Sequence, residues 1–363
     1  MKGLIKFLWF LYTCFVFYTF LVYGLVLWTP FDGWIAGFMM MSFPVVMIVH
    51  IVSVPVWFLF GSKKALLPLV TLAVGCIFLP RTFAFGNQAD AGEDQKRSFK
   101  VLGYNAHVFM LNSNRRDPAT KQQIASMKEW ISGTNADILC MPEFYDEDVK
   151  LFRTTEYFRK QGYRYSVNFE RSRKHKEAQY LGLALFSKYP IISQHDTIFQ
   201  AQNGMIRADI AIGRDTVRVV ALHLYSMTLN LSRLAHQKQM DGVVKEGKFT
   251  FGKMKDGFKK RSKELAALQA WTLNSPYPVL ICGDFNEIPY GYVYGELRRD
   301  FANAFEEKGT GFGFTFNHIP YFIRIDHQFY DSKKLDLLNF TTHRDVKYSD
   351  HYPITGTYRF SDQ

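Results

Sequence analysis

The chain has 363 residues, of which 48% are hydrophobic, and its formal net charge at pH 7 is +11. This length is sufficient for one large domain and a smaller additional segment. The four cysteines have neither the spacing of metal ligands nor that of a disulfide framework, which argues against a cysteine metal site and a disulfide-rich scaffold.

The first 80 residues predict a transmembrane segment of two or three helices. Residues 4–28 and 34–60 are almost uninterrupted apolar runs, and each exceeds the roughly 20 residues that a helix needs to cross a bilayer. A third run, residues 65–80, is shorter and contains Pro68. A cleavable signal peptide would have one isolated apolar stretch of about 7–15 residues, so membrane spans explain these runs better.

Lysines predict the orientation of these spans. Lys2 and Lys6 precede the first run, Lys63 and Lys64 separate the second from the third, and the TPFDG loop has no basic residue. The positive-inside rule places the lysines in the cytoplasm. With three spans, the rest of the chain is periplasmic or extracellular, on an inner or plasma membrane. If the third run lies only in the interface, the rest of the chain stays cytoplasmic.

The remainder of the chain is basic. Residues 1–80 contain four lysines and Asp32, a charge of +3, so +8 of the total of +11 falls on residues 81–363. A basic surface favours anionic partners such as phosphate esters, nucleic acid or acidic lipid headgroups. It is equally the ordinary surface of a protein held near an anionic membrane.

Residues 81–98 are polar and predict a linker, and residues 99–363 predict one domain of many short strands and few helices. A hairpin is expected at Gly213-Arg214-Asp215, and helical spacing occurs in residues 121–131 and 261–273. Many strands and few helices indicate two packed sheets with helices outside. The predicted strands are FKVLGYN, ADILCMPE, YRYSVNF, GLALFSKYPII, MIRADIAI, TVRVVALHL, PVLICGDF, RIDHQFY and YPITGTYRF.

Residues 228–260 are rich in lysine and glycine and poor in large aliphatic residues. We expect a mobile surface insertion, because long loops without periodicity are usually surface excursions. The alternative is a basic flap that gathers an anionic substrate near His223, where the stretch begins.

Five polar clusters each follow an apolar run, where a buried strand fixes the backbone and its end meets solvent. Together they would form a divalent-metal centre that cleaves phosphodiesters, because hard oxygen ligands suit Mg²⁺. The clusters contain Asn105, Glu143, His223, Asp284 with Asn286, and Asp350 with His351.

Chemistry suggests a role for each group. Glu143 is the best metal ligand, and the Asn105 amide oxygen can bind the same ion or its water. Asp284 can accept the proton of the attacking water while Asn286 holds that water or a phosphate oxygen.

The histidines are expected to donate hydrogen bonds to the phosphate. His351 needs its charged form favoured by a carboxylate, for which Asp326 is the candidate, and His223 can donate a second hydrogen bond to the phosphate or to the leaving group. His327 is expected to be a bystander, because adjacent strand residues face opposite sides.

The order of these motifs (Asn105, PEF, GLALFSKYPI, HL, GDFN, RID and SDHYPI) resembles the endonuclease/exonuclease/phosphatase family, the deoxyribonuclease-I-like fold, over roughly residues 99–360. The resemblance implies a four-layer αββα sandwich, two β-sheets flanked by helices, with the site at one edge. It also implies a Mg²⁺ or Mn²⁺ cofactor. The chain departs from the family pattern in His327 after RID and in the expanded basic stretch.

The resemblance also implies residue roles. Metal binding falls on Glu143 and Asn105 with Asp350, and the base or water-orienting role on Asp284. Phosphate binding falls on Asn286. The histidine that stabilises the phosphate, paired with an acid, would be His351 with Asp326, and His223 resembles the family's second histidine.

Members of the family cut nucleic acids, sphingomyelin, inositol phosphates and other phosphate esters, so the fold does not choose the substrate. The membrane segment and aromatic residues near the motifs favour a phospholipid headgroup. A tethered nuclease is the alternative, because the domain is basic and aromatic rings also stack on bases. An inactive binding module is a third, and the intact motifs argue against it. The aromatic residues are Tyr290, Tyr292, Tyr294, Phe312, Phe314, Phe316, Tyr321 and Phe322.

Overall fold

The structure is a computed structural model, and it describes residues 2–86, 98–169, 179–226, 240–318 and 321–361. Its N-terminal part is helical. Three stretches, Lys2–Trp28, Trp34–Leu59 and Ser62–Thr82, are long and apolar enough to cross a membrane. They consist of α1 (Lys2–Trp28), α2 (Trp34–Met41), α3 (Phe43–Leu59), α4 (Ser62–Gly75), a 3-10 turn (Cys76–Phe78) and α5 (Leu79–Thr82).

A buried histidine joins the first two candidate spans. His50 of α3 is fully buried, with Nδ1 2.7 Å from the Tyr12 hydroxyl and Nε2 2.7 Å from the Thr19 hydroxyl, both on α1. Polar side chains that bond across helices are a common means of helix association in membranes. Both ring nitrogens are therefore used for packing within the bundle.

The described residues after the helices form two six-stranded sheets and a small two-stranded one. The first sheet contains β2 (Ser98–Gly103), β3 (Ile138–Glu147), β4 (Tyr165–Asn168), β5 (Gln179–Ser187), β13 (Leu335–Thr342) and β14 (Ile354–Phe360). The second contains β6 (Ile191–Gln200), β7 (Asn203–Ile212), β8 (Asp215–His223), β9 (Val279–Asp284), β10 (Ala302–Asn303) and β12 (Asp326–Tyr330). The third pairs β1 (Ala84–Phe85) with β11 (Thr310–Gly311).

Helices cover both sheets. They are α6 (Pro118–Gly133), α7 (Thr154–Lys160), α8 (Met240–Thr272), α9 (Tyr292–Leu297) and α10 (Ala304–Lys308). Leu139 and Leu185 of the first sheet and Val219 and Leu280 of the second belong to one fully buried apolar core. The predicted four-layer αββα sandwich, preceded by apolar helices, is therefore confirmed.

Strand order places polar groups from both sheets at one edge. The pairings β2–β3 and β8–β9 are parallel, whereas the other pairings within the two large sheets are antiparallel. Parallel neighbours end on the same side, so β2 and β3 share one edge of the first sheet, and β8 and β9 share one edge of the second. These two edges meet, because the Asn105 amide after β2 contacts Asp284 at the end of β9.

The predicted strands all coincide with observed ones, with one difference. GLALFSKYPII spans both β5 and β6, because the chain leaves the first sheet after Ser187 and joins the second at Ile191. The predicted hairpin is confirmed, since Ile212 pairs with Asp215 and Gly213 has φ +62°. The helix predicted at 121–131 is α6.

The prediction of a surface insertion over 228–260 is wrong from residue 240 onward. That part belongs to α8, a helix of 33 residues that continues into the one predicted at 261–273. The stretch contains many helix-forming lysines and no proline, and it packs on α2, where Phe251 stacks on Phe38 at 4.6 Å. Residues 227–239 lie outside the described part of the chain.

The N-terminal helices contact the sandwich directly. Arg81 is 4% exposed and donates hydrogen bonds to the carbonyls of Val26 (3.2 Å) and Pro289 (3.5 Å). Strand β1 pairs with β11, so the predicted linker 81–98 begins in packed structure. Residues 87–97 lie outside the described residues, and the domain boundaries remain a prediction.

Candidate active site

The predicted polar groups meet where the two sheets end. Asn105 follows β2, and its amide nitrogen donates across the sandwich to Asp284 at the end of β9 (3.0 Å) and approaches the Glu143 carboxylate of β3 (3.4 Å). Asp284 and Glu143 therefore lie on the same side of the molecule. The remaining members come from the end of β8, the start of β12 and the segment before β14, and they are His223, Asp326, Asp350 and His351.

Asp284 lies at the centre of this group. Its Oδ2 is 3.7 Å from Nε2 of His223 and 3.7 Å from Nε2 of His351, and its Oδ1 accepts the backbone N–H of Asn286 at 2.8 Å. The carboxylate is almost completely buried, and this burial raises the pKa of Asp284, against the opposing charge of His351. A buried carboxylate beside two imidazoles can exchange a proton with a small polar molecule placed between them.

Backbone strain is concentrated at the same positions. Glu143 and Asn286 both have φ +50°, a left-handed conformation that costs of order 1–3 kcal/mol for a residue other than glycine. Gly283 has φ +153°, and a Cβ built there would lie 2.0 Å from the carbonyl oxygen of Leu222 on the neighbouring strand β8. The close approach of β8 and β9 therefore requires a glycine before Asp284.

His351 and Asp326 form a buried pair. The Nδ1 of His351 donates to Asp326 Oδ2 at 2.8 Å, and the backbone N–H of Asp326 donates to the Thr315 hydroxyl at 3.1 Å. Burial opposes the charged imidazolium, but the carboxylates of Asp326 and Asp284 outweigh it and raise the pKa of His351 to about 10. The Nε2 of this ring therefore presents a charged donor to the centre of the site.

His223 presents a second imidazole nitrogen to the site. It is 1% exposed, its Nε2 has no hydrogen-bond partner among the described residues, and Glu143 Oε1 lies 3.9 Å from that nitrogen. Burial lowers the pKa of His223. A buried polar nitrogen without a partner is costly, so a ligand that forms a hydrogen bond with it would be stabilised here.

His327 lies outside the cluster. Its Nε2 is 3.0 Å from the carbonyl oxygen of Glu287, and its ring packs on those of Phe285 and Tyr294. The ring is therefore on the other side of β12 from Asp326, as alternation along a strand predicts.

Two carboxylates of the site also lie beside His107, a histidine that the sequence analysis did not identify. The Nδ1 of His107 is 2.9 Å from Asp350 Oδ1 and 3.9 Å from Glu143 Oε2. Burial alone would raise the pKa of Asp350, but the hydrogen bond from His107 and the charge of His351 lower it to about 2. The available signal was local, because His107 stands two residues after Asn105, whose side-chain oxygen accepts its backbone N–H at 3.0 Å.

Two sets of residues could hold a metal ion. Asp284, Asp326 and His351 each offer one ligand atom, and these atoms lie within 4.8 Å of one another. However, His351 and Asp326 already bond to each other through Nδ1 and Oδ2. The other set is the predicted one, Glu143, Asn105 and Asp350; the carboxylates of Glu143 and Asp350 both lie near Nδ1 of His107, at 3.9 and 2.9 Å. Carboxylate oxygens are hard ligands that suit Mg²⁺ and Mn²⁺, whereas the Asn105 amide turns its nitrogen toward Glu143 and Asp284. The residues present therefore fit a hard divalent cation.

The described residues therefore form a sandwich of two mixed sheets, with carboxylates, an amide and imidazoles gathered at one edge. The chain belongs to the endonuclease/exonuclease/phosphatase family, because the family's sequence model matches residues 102–351. This confirms the resemblance found in the motif order. Residues 5–82 match the model of a domain of unknown function, DUF8431.

The chain is also similar to solved structures of low sequence identity. They include D. rerio TDP2 complexed with single strand DNA product, at 12% identity with a TM-score of 0.50, covering 72% of this chain and 99% of that one. An endonuclease/exonuclease/phosphatase from Beutenbergia cavernae DSM 12333 has 13% identity and a TM-score of 0.49, covering 73% and 72%. The human Nocturnin catalytic domain with bound sulfate anion has 15% identity and a TM-score of 0.49, covering 73% and 95%. No curated protein matches the chain.

Proposed function

We propose that this protein is a membrane-inserted, divalent-metal-dependent phosphoric ester hydrolase whose substrate is the phosphoester of a phospholipid headgroup. The family supports phosphoric ester hydrolysis. The choice of a lipid depends on one observation: the loop that carries Asp284 and Asn286 packs directly on the apolar N-terminal helices.

This loop, residues 284–290, ends on the helices. The ring of Tyr290 stacks on Phe43 at 4.3 Å, and its hydroxyl is 2.7 Å from the Thr82 hydroxyl. Tyr290 belongs to one buried cluster with Val22 and Phe78 of the apolar helices. Because six residues of extended chain span at most about 20 Å, Asp284 lies within about 20 Å of the candidate spans.

Aromatic side chains also lie beside both the helices and the catalytic group. Phe83, directly after α5, contacts Phe312 at 5.1 Å, and Phe312 stacks on Phe314 at 5.3 Å. Phe316 contacts the ring of His351 at 5.2 Å. Phe312 is 47% exposed, and Phe322 is 65% exposed. Exposed apolar surface of this kind suits the apolar part of a lipid beside its headgroup.

The side chains have complementary roles in the proposed reaction. Glu143, Asn105 and Asp350 would hold Mg²⁺ or Mn²⁺. When bound, the cation neutralises charge on the phosphate oxygens.

The other residues handle the proton and the phosphate. Asp284 accepts the proton of the attacking water, and Asp326 orients His351, whose Nε2 donates to a phosphate oxygen. As the water oxygen bonds to phosphorus, the bond from phosphorus to the ester oxygen breaks, and the leaving oxygen takes up a proton from solvent. His223 is placed to hydrogen-bond through Nε2 to the phosphate or to that leaving oxygen. Asn286 donates one amide hydrogen to the carbonyl of Leu224 at 3.0 Å, which leaves the other for phosphate.

The proposed localisation follows from the three candidate spans. Trp28 and Thr82 end the first and third spans, and both contact the sandwich, since Arg299 donates to the Trp28 carbonyl. With Lys2 and the Lys63–Lys64 pair in the cytoplasm, the sandwich would lie on the periplasmic or extracellular face. A tag at residue 90 that protease reaches in intact cells would support this orientation.

The experiment that tests the function compares substrates. Purified full-length protein with Mg²⁺ is assayed on phospholipid vesicles, plasmid DNA and RNA, beside an Asp284→Asn variant. We expect the parent protein to release headgroups from the vesicles and not to cleave nucleic acid. Asp284→Asn should abolish this release. Nuclease activity lost in Asp284→Asn, with no turnover of lipid, would overturn the proposal in favour of a tethered nuclease.

A second variant tests the lipid part separately. Tyr290→Ala removes the ring that packs on Phe43, while Asp284 and the histidines stay. We expect it to reduce turnover of vesicles far more than turnover of a small soluble diester such as bis(p-nitrophenyl) phosphate. An equal loss on both substrates would mean that the contact with the helices only maintains the fold.

A further inference from the structure

We infer that residues 246–263 of α8 bind anionic phospholipid headgroups at the membrane surface, beside the active site. This inference rests on the proposed insertion of the N-terminal helices in a bilayer. It is carried by two adjacent faces of α8, one that packs on a candidate span and one that presents lysines.

The first face contacts the start of α2. Phe251, Lys255, Phe258 and Ser262 follow one another at helical intervals, so they lie on one face. Phe251 lies 4.6 Å from Phe38 and 5.7 Å from Trp34, between ring centroids, and the Lys255 ammonium lies 4.8 Å from the ring of Trp34.

Two further contacts lie on the same face. Phe258 is 5.2 Å from Phe38, and Ser262 bonds to Asp32 in the loop between α1 and α2. Because α2 begins the second candidate span, this face holds α8 at the level where that span would leave the apolar interior of the bilayer.

The neighbouring face is a row of lysines. Lys248, Lys255, Lys259 and Lys263 are again at helical intervals, and all except the half-buried Lys255 are exposed. Residues 246–263 contain seven lysine and arginine residues and two acidic residues, Glu246 and Asp256. Of the seven, Arg261 is buried against Glu287, so the exposed charge comes from the lysines. This charge is complementary to anionic headgroups and not to zwitterionic ones.

Exposed aromatic rings accompany the lysines. Phe249 is 57% exposed and Phe251 46% exposed, and the ammonium of Lys253 lies 4.6 Å from the ring of Phe249. Ile35, at the start of α2, is 60% exposed. Lysines beside exposed aromatic and aliphatic side chains are typical of helices that lie in the membrane interface.

The same helix holds the catalytic loops. Glu264 accepts the backbone N–H of Tyr225 at 2.8 Å, and the ammonium of Lys260 lies 4.1 Å from the Tyr225 ring, two residues after His223. Arg261 donates to Glu287 at 3.2 Å, directly after Asn286. Headgroups bound along α8 would therefore fix the orientation of the active site toward the membrane.

The test uses the full-length protein in nanodiscs of phosphatidylcholine, with or without phosphatidylglycerol, and measures hydrogen–deuterium exchange in residues 246–263. We expect slower exchange with phosphatidylglycerol, and reversal of this protection by high salt. Each lysine near an anionic surface strengthens its binding to that surface roughly fivefold. Binding of α8 to phosphatidylglycerol should therefore weaken about a hundredfold in the triple variant Lys248→Gln, Lys259→Gln, Lys263→Gln. The matched control is Lys121→Gln, Lys150→Gln, Lys333→Gln, which should keep the lipid dependence.

The outcomes separate this inference from the proposed function. If the protein enters nanodiscs but exchanges equally in both lipids, headgroup binding by α8 is refuted while membrane insertion stands. If it does not enter nanodiscs, the proposed membrane function fails first. Protection by a DNA oligomer in place of phosphatidylglycerol would refute the inference and assign the lysines to nucleic acid.

Discussion

The pairing of His351 with Asp326 leads to a sharp prediction for Asp326→Asn. Asp326 is 4% exposed, and its Oδ2 accepts the Nδ1 hydrogen of His351 at 2.8 Å. Its backbone is fixed by the Thr315 hydroxyl and by pairing with Asp284 across β12 and β9. Asparagine has the same shape and keeps an oxygen acceptor, so the substitution removes charge and leaves the ring in place.

The size of the effect follows from the charge that is lost. Two unit charges about 4 Å apart interact by about 4 kcal/mol at an effective dielectric constant near 20, and desolvation offsets part of this. Loss of one donor to the developing charge of a transition state typically costs about 10²–10³ in kcat. We therefore expect Asp326→Asn to lower kcat about a hundredfold, with KM and the Mg²⁺ requirement nearly unchanged.

The assay is hydrolysis of bis(p-nitrophenyl) phosphate by the full chain in detergent, with Mg²⁺ titrated for each variant. Asp336→Asn is the matched control, because Asp336 pairs with Arg359 at 2.9 Å on β13 and β14 and contacts none of the site residues among its described bonds. A kcat for Asp326→Asn within a few fold of the parent, with the fold intact by thermal denaturation, would refute the role given to the pair.

Two further predictions concern stability and metal binding. Gly283→Ala should lower the free energy of unfolding by about 3 kcal/mol or more, since its Cβ would meet the Leu222 carbonyl at 2.0 Å. Gly213→Ala has open space around its Cβ and should cost about 1 kcal/mol in the same thermal or urea unfolding measurement, so equal losses would contradict this explanation. Glu143→Gln should raise the Mg²⁺ concentration for half-maximal activity at least about tenfold. His351→Ala should lower kcat and leave that Mg²⁺ concentration unchanged. A similar Mg²⁺ shift in both variants would contradict the separation of metal from phosphate binding.

Many short apolar strands and few helices indicated two packed sheets, and the motif order, which resembles one family, implied the four-layer sandwich. Asn105, Glu143 and Asp284 could be grouped from the sequence, since each follows an apolar run and the motif order resembles that family. Their meeting across the sandwich rests on the packing of the two sheets, because Asn105 follows a strand of one sheet and Asp284 ends a strand of the other.

Other features depend on contacts between distant parts of the chain. The N-terminal half of α8 has weak helical periodicity, and its packing partners Trp34 and Phe38 stand more than 200 positions earlier. The placement of His107 between two carboxylates depends on a left-handed turn in which it has φ +41°. The position of His107 two residues after Asn105 places it near the site, but neither this turn nor the packing of α8 can be derived from residue types alone.

The packing of Tyr290 on Phe43 has a practical consequence for truncating the chain to obtain a water-soluble fragment. Deleting the first 86 residues would strip Tyr290 of its apolar neighbours and leave Arg324 without the carbonyl of Arg81 to which it donates at 2.6 Å. The excised sandwich would then lack the contacts that support the loop from Asp284 to Tyr290. Low turnover by such a fragment would therefore reflect the deletion of the helices and not the activity of the full chain.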